Sequence, residues 1–114
     1  MPDRHVLTVH VLDTVTGRPA AGMGLALHRE GDDGVAVERI TNRDGRCDTP
    51  LLEGEAFRAG TYELRFEVAA WRGDASDPGF YDRITIRFRV GERPGHVHVP
   101  LLLAPYGYST YRGS

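Results

Sequence analysis

The chain has 114 residues and a mass of 12.6 kDa, which predicts one domain spanning residues 1–114 with a single hydrophobic core. Hydrophobic residues make up 40% and charged residues 26% of the sequence, and these values argue against a disordered or fibrous protein. The formal net charge is −2 and no basic run is present, so we expect no nucleic-acid partner.

The sequence carries no signal for a membrane or a secretory route. No apolar run reaches 18 residues, and the N-terminal residues lack the apolar core of a secretory signal. Cys47 is the single cysteine and cannot form an internal disulfide, which fits a reducing compartment. We therefore expect a cytoplasmic protein without a membrane partner.

Residues 5–13 (HVLTVHVLD) alternate in polarity and predict the first β-strand. Leu7 and Val9 point to one side of this strand, whereas Thr8 and His10 point to the other. One side therefore suits a core, and the other is too polar for one.

Turn signals divide the rest of the chain into short segments. Asp-Gly pairs at 33–34 and 44–45 supply residues that tolerate positive φ, so they predict a hairpin and a second turn. A short helix is expected within residues 69–79, where too few residues are present to sustain a long one. The further strands are predicted at residues 25–30, 35–42, 62–68, 83–90, 96–103 and 108–111.

Seven or eight short strands with no alternation of strands and helices predict an all-β fold, an antiparallel β-sandwich. Such sheets have edges that must be covered. The apolar run at residues 101–103 is longer than a strand with two different faces requires, and the polar face of the first strand is unsuited to a core. We therefore expect that another copy of the chain covers part of this surface.

His96 and His98 lie on one side of their predicted strand, because side chains alternate along it. Three roles are open for the pair. They can be structural histidines held by hydrogen bonds, or a zinc half-site completed by His10. They can also act as a general base and the group that orients it, since imidazole titrates near neutrality.

Arg46 directly follows the turn at residues 42–45, which would hold its guanidinium in one place. That group suits a carboxylate, a ureide or a developing oxyanion, and a solvent-exposed turn arginine is the plain alternative. Ser114 combines a hydroxyl and a carboxylate after a flexible Gly113. A frayed chain end without a function is the alternative for Ser114.

Four segments together resemble the 5-hydroxyisourate hydrolases, the transthyretin-related enzymes of urate breakdown. The likeness covers essentially the whole chain. Its most specific part is the terminal Tyr-Arg-Gly-Ser, because true transthyretins share the stretch before it but lack this ending. The four segments are HVLDTVTGRPAAGM at 10–23, TNRDGR at 41–46, AGTYELRFEVAAW at 59–71 and HVHVPLLLAPYGYSTYRGS at 96–114.

The resemblance implies a prealbumin-like antiparallel β-sandwich of two four-stranded sheets with one short helix. It implies a homotetramer with active sites at the dimer–dimer interface. It also implies hydrolysis of 5-hydroxyisourate to 2-oxo-4-hydroxy-4-carboxy-5-ureidoimidazoline, with no cofactor. No residue is assigned as a metal ligand.

The family's catalytic positions fall on His10, Arg46, His98 and Ser114. Its terminal tetrapeptide adds three substrate-binding residues, Tyr111, Arg112 and Gly113. Our mechanistic hypothesis is that the two histidines share the proton transfers and that Arg46 stabilises charge at the attacked carbonyl. Ser114 would position the water or a histidine, and a covalent role as nucleophile is the alternative.

This sequence departs from the family pattern at Val9, where a small hydroxyl residue is commoner, and at Asp82 and Arg83, where a Pro-Glu pair is frequent. None of these positions belongs to the matched catalytic set. Two rival functions are a transthyretin-like carrier of a small ligand without turnover, and a metal protein using three histidines.

Overall fold

Two β-sheets pack face to face in the computed structural model, which describes residues 4–73 and 79–113. A single 3₁₀ turn covers Gly54–Ala56, and the helix α1 covers Val68–Arg72. The strands are β1 (Val6–Asp13), β2 (Arg18–Pro19), β3 (Gly24–Arg29), β4 (Val37–Ile40), β5 (Leu52–Glu53), β6 (Gly60–Phe66), β7 (Ile84–Val90), β8 (His96–Leu103) and β9 (Tyr108–Thr110).

The first sheet has the order β2-β1-β8-β9, and β5 also pairs with β1. The second sheet has the order β4-β3-β6-β7. The predicted two-layer all-β sandwich with one short helix is confirmed. The first sheet differs from a simple four-stranded one because β2 and β5, each of two residues, pair with different parts of β1.

The strands β1 and β8 run parallel, so the sandwich is not antiparallel throughout. Alternating polarity shows which side of a strand faces the core, but it carries no information about direction. Hairpins impose antiparallel pairing on neighbouring strands, whereas β1 and β8 are far apart in the chain and are free of that constraint. In this register Thr8 lies opposite His98, and His10 lies opposite Pro100.

The core forms between the inward faces of the two sheets. Tyr62 is fully buried there, stacks on Phe88 and meets the edge of Phe57. Its hydroxyl donates a hydrogen bond to the backbone oxygen of Arg58, which satisfies the polar end of a buried ring. The inward side chains of β1 and β8 complete this core from the first sheet, namely Leu7, Val9, Val11, Val97, Val99, Leu101 and Leu103.

The strand β6 ends at Phe66, two residues earlier than the alternating pattern predicted. Val68 is buried all the same, because α1 begins there and turns the side chain onto the core. The helix ends at Arg72, and Gly73 caps it in a left-handed conformation with φ of 64°. Residues 74–78 of the predicted helical segment lie outside the described residues.

Across residues 4–73 and 79–113, no helix has the length and apolar character needed to cross a membrane.

Replacing Leu27 by alanine is expected to lower the free energy of unfolding by about 2–5 kcal/mol, because it leaves a cavity in the core. Leu27 is fully buried, whereas Ile40 on the neighbouring strand is 70% exposed. Ile40→Ala is therefore the matched control and should change the free energy by less than about 0.5 kcal/mol. Urea denaturation measures both, and equal losses would contradict this core.

Candidate active site

The outward face of β1 and β8 carries the predicted histidines. Thr8, His10, His96 and His98 alternate with buried valines and leucines, so all four side chains leave the sheet on the side opposite the core. The parallel register then brings residues from two distant parts of the sequence side by side. This face is where the candidate site forms.

Thr8 lies between the two histidines of β8. Its hydroxyl is 2.8 Å from Nδ1 of His98 and 3.0 Å from Nε2 of His96. Both distances are those of hydrogen bonds. The sequence pattern placed Thr8 on the polar face but did not indicate this role, because the contact depends on the pairing of β1 with β8.

Asn42 holds the turn that precedes Arg46. Its side-chain oxygen accepts hydrogen bonds from the backbone N–H groups of Asp44 and Arg46, at 2.9 and 3.2 Å. Its own backbone N–H donates to the carbonyl oxygen of Arg46 at 2.7 Å. Its side-chain amide donates to Asp48 at 2.9 Å. The start of the segment that carries Arg46 is therefore fixed by a local network.

Gly45 brings this turn onto β1. Its carbonyl oxygen accepts a hydrogen bond from the N–H of Val11 at 2.8 Å. Its φ is 72°, and a Cβ atom built at this position would lie 2.3 Å from the carbonyl oxygen of Val11. Glycine is therefore required here both for its backbone conformation and for the close approach.

His10 is half-buried on β1. Burial is the main cause that lowers the pKa of His10 below the ordinary value of 6.5, and the positive charge of Arg46 lowers this pKa further. His10 is therefore neutral at neutral pH and able to accept a proton.

His98 shares these features. Burial lowers the pKa of His98 from its ordinary value, and the charges of Arg46, His96 and His10 act in the same direction. Arg46 and His98 line the same cleft, and the charge of Arg46 acts on both His10 and His98. Three of the four predicted catalytic residues are thus brought together from β1, the turn and β8.

The three described residues of the predicted terminal tetrapeptide lie in two different places. The N–H of Gly113 donates a hydrogen bond to the carbonyl oxygen of His98 at 2.7 Å, so Gly113 lies beside the site. Tyr111 and Arg112 are exposed and line a different cleft of this chain, of about 500 Å³, between β7 and the first half of β8. Ser114 lies outside the described residues.

A half-open cleft of about 420 Å³ lies over the histidine face. Besides Thr8, Arg46 and the two histidines of β8, its lining includes Cys47 and Thr49, which the sequence pattern did not single out. Burial raises the pKa of the Cys47 thiol, so this group is protonated at neutral pH and is not an activated nucleophile. Two imidazoles and one guanidinium are therefore the polar groups of this cleft that can carry charge at neutral pH.

The zinc alternative would require His10, His96 and His98 to act as ligands together. Within residues 4–73 and 79–113, no group of three or more His, Cys, Asp or Glu side chains is arranged to hold a metal ion. His96 and His98 instead direct ring nitrogens at the Thr8 hydroxyl.

Comparison with known proteins shows the family of this chain. The family model described as the HIUase/Transthyretin family matches residues 7–113. The chain belongs to this family. The match includes β1, the turn before Arg46 and all of β8, which are the segments that build the site.

Both 5-hydroxyisourate hydrolases and a transthyretin are similar to this chain. The 5-hydroxyisourate hydrolase of Deinococcus radiodurans is 53% identical over 113 residues, which is 95% of either chain. The solved 5-hydroxyisourate hydrolase of Klebsiella pneumoniae is 39% identical with a TM-score of 0.82, covering 96% of this chain and 98% of that one. The transthyretin of Sparus aurata has a TM-score of 0.83 but is 28% identical, covering 94% and 95%.

Gly45→Ala is expected to reduce turnover strongly, because the added Cβ forces the turn away from Val11 and displaces Arg46 from the histidines. Gly34→Ala is the matched control: Gly34 also has a positive φ, of 76°, but an added Cβ there meets no atom within 4 Å. Steady-state kinetics on folded samples compares the two. Equal activity in both variants would contradict the close approach as the cause.

Arg46→Gln is expected to raise the pKa of both His10 and His98, because it removes a positive charge that disfavours their protonated forms. NMR titration of the imidazole Cε1 protons measures these values, and His28 on the other sheet serves as an internal control. An unchanged titration of both histidines would show that Arg46 does not face them.

Proposed function

We propose that this chain catalyses the hydrolytic ring opening of 5-hydroxyisourate to 2-oxo-4-hydroxy-4-carboxy-5-ureidoimidazoline, the reaction that the resemblance implied. The observation that carries the proposal is that Arg46 and His98 line one cleft. His10 lies close enough for its charge to act on His98 and for the charge of Arg46 to act on it. Two neutral imidazoles and one guanidinium are the groups that hydrolysis of a cyclic amide requires.

The histidines supply the proton transfers. One of them removes a proton from water as the water oxygen attacks the ring carbonyl carbon. The carbon–nitrogen bond then breaks, and the histidine passes its proton to the leaving nitrogen. The carboxylic acid that forms releases the second proton of the water to solvent, which leaves a carboxylate. The lowered pKa values of His10 and His98 serve both steps, because the neutral base is populated at neutral pH and its protonated form is a strong proton donor.

Arg46 stabilises the negative charge that develops on the carbonyl oxygen. The turn held by Asn42 fixes the backbone of Arg46 before substrate arrives, so less reorganisation is needed during the reaction. The same positive charge disfavours protonation of the two histidines in the empty site. One guanidinium therefore has two effects that both favour base catalysis.

The terminal residues are assigned a binding role. Gly113 contacts His98 through its backbone N–H, and we assign to Ser114 the role of orienting water or a histidine. Tyr111 and Arg112 line a different cleft of the same chain. We propose that they contribute to substrate binding in an assembly of several chains, where surfaces of neighbouring copies meet.

A homotetramer with active sites at the dimer–dimer interface is part of the proposal. Arg46 is exposed in the single chain, and the cleft is half-open, so a second copy is needed to exclude water from the site. The strands β7 and β9 are sheet edges with unpaired backbone groups, which suits pairing with another chain. One domain, cytoplasmic location and the absence of a cofactor remain predictions.

The rival function, a carrier without turnover, is the weaker one. The chain is 53% identical to a hydrolase and 28% identical to a transthyretin, with nearly equal coverage. A carrier also has no need for neutral histidines beside a guanidinium.

His98→Asn is expected to lower kcat on freshly prepared 5-hydroxyisourate by about 10²–10⁴-fold, because it removes a proton carrier of similar size. Turnover is followed by the loss of the substrate's ultraviolet absorbance. His28→Asn on the outer face of the second sheet is the control and should keep full activity.

Light scattering on the same samples tests the assembly. The proposed tetramer predicts a mass four times the 12.6 kDa of one chain for both variants. An inactive native protein would reject the proposed reaction, and a monomeric active enzyme would reject only the assembly.

A further inference from the structure

The hydroxyl of Thr8 contacts two histidines at once, and one of them has no role in the proposed reaction. Thr8 Oγ1 lies 2.8 Å from Nδ1 of His98, the proposed proton carrier, and 3.0 Å from Nε2 of His96. His96 is exposed, and His98 and Thr8 are half-buried. The three side chains form a short hydrogen-bonded chain that leads from solvent to the site.

The number of protons available limits how the hydrogen bonds between Thr8, His96 and His98 can be arranged. A hydroxyl has one proton to donate and two lone pairs to accept with. Thr8 can therefore donate to only one of the two ring nitrogens, and the other ring must donate to Thr8. When His96 accepts the Thr8 proton at Nε2, His98 has to donate from Nδ1.

Whether Nε2 of His98 can act as a base depends on which ring nitrogen carries the proton. A neutral imidazole that carries its proton on Nδ1 has an unprotonated Nε2. Among residues 4–73 and 79–113, no side chain or backbone group makes a hydrogen bond with Nε2 of His98. The backbone of Gly113 flanks the neighbouring ring carbon, since a Cβ built there would lie 2.7 Å from Cδ2 of His98. Nε2 is thus the nitrogen that residues 4–73 and 79–113 leave available to water or substrate.

We propose that Thr8 is a positioning residue that holds His98 as the Nδ1–H tautomer with a basic Nε2, and that His96 secures this arrangement by accepting the Thr8 proton. The inference rests on the proposed function of His98 as a proton carrier. It adds two residues, Thr8 and His96, that act through His98 and do not themselves touch the reacting atoms.

The proposal couples the site to the protonation of His96. A protonated His96 cannot accept the Thr8 proton, so the hydroxyl turns to Nδ1 of His98 and stabilises the tautomer that has no basic Nε2. The charged and titratable groups that act on His98 are Arg46 from the turn, His10 from β1 and His96 from its own strand. All three are cationic when protonated, and none of them reverses this effect.

Thr8→Val tests the proposal, because valine keeps the shape of threonine and removes the hydroxyl. We expect kcat to fall on the order of tenfold to a hundredfold, as for other groups that orient a catalytic histidine, with little change in KM. Thr8→Ser retains the hydroxyl and should restore most of the activity. Thr85→Val, on an exposed position of β7, removes a hydroxyl far from the site and should have no effect.

A spectroscopic measurement separates positioning from a structural effect. Long-range ¹⁵N–¹H NMR of the histidine rings reports which nitrogen carries the proton. We expect a protonated Nδ1 for His98 in the native protein and in Thr8→Ser, and a mixture of tautomers in Thr8→Val. His96→Phe should shift the same signals toward the Nε2–H tautomer.

The outcomes distinguish this inference from the proposed function. Full activity of Thr8→Val, or an unchanged His98 tautomer in that variant, would overturn the role of Thr8 even if His98→Asn is inactive. Full activity of His98→Asn would instead remove His98 as a proton carrier and the inference with it. A His98 tautomer that His96→Phe leaves unchanged would overturn the role assigned to His96.

Discussion

The parallel pairing of β1 with β8 is the constraint on which the site depends. It places Thr8 opposite His98 and joins residues that are 90 positions apart in the chain. The same two strands supply much of the first sheet's share of the core through their inward side chains. Because side chains alternate along a strand, burying one face of β1 and β8 automatically presents Thr8, His10, His96 and His98 on the other. Burial of the inward faces of β1 and β8 therefore both stabilises the fold and assembles the polar face.

Electrostatic effects lower the pKa values of two histidines on this polar face. Partial burial and the nearby guanidinium of Arg46 both disfavour protonated imidazole, so His10 and His98 are held neutral. A negative group in place of Arg46 would have the opposite effect on both pKa values. The turn at Asn42 and the close approach of Gly45 to Val11 keep the cation where it acts. The backbone contact between Gly45 and Val11 thus influences the pKa values of His10 and His98 through the position of Arg46.

Much of the fold was predictable from residues that repeat with a regular period. Alternation in residues such as Leu7, Val9 and Val11 predicts strands and their inward face, and Gly45 marks its turn, because these signals are local. The end of β6 before Val68 was not predictable, since a buried valine suits a strand or a helix equally. The direction of β8 relative to β1 was not predictable either, because alternation has no direction.

The sequence by itself determined which side chains are polar, which face of each strand they share and, through the resemblance, which residues to consider. His10, Arg46 and His98 were predicted in this way. Only the tertiary structure decided that Thr8 joins His96 to His98, that Gly113 lies beside His98, and that Tyr111 and Arg112 line another cleft of the chain. The physical reason is that hydrogen bonds and Coulomb forces act over a few ångströms of space, and the distances between strands are set by sheet pairing, which no local pattern of residues encodes.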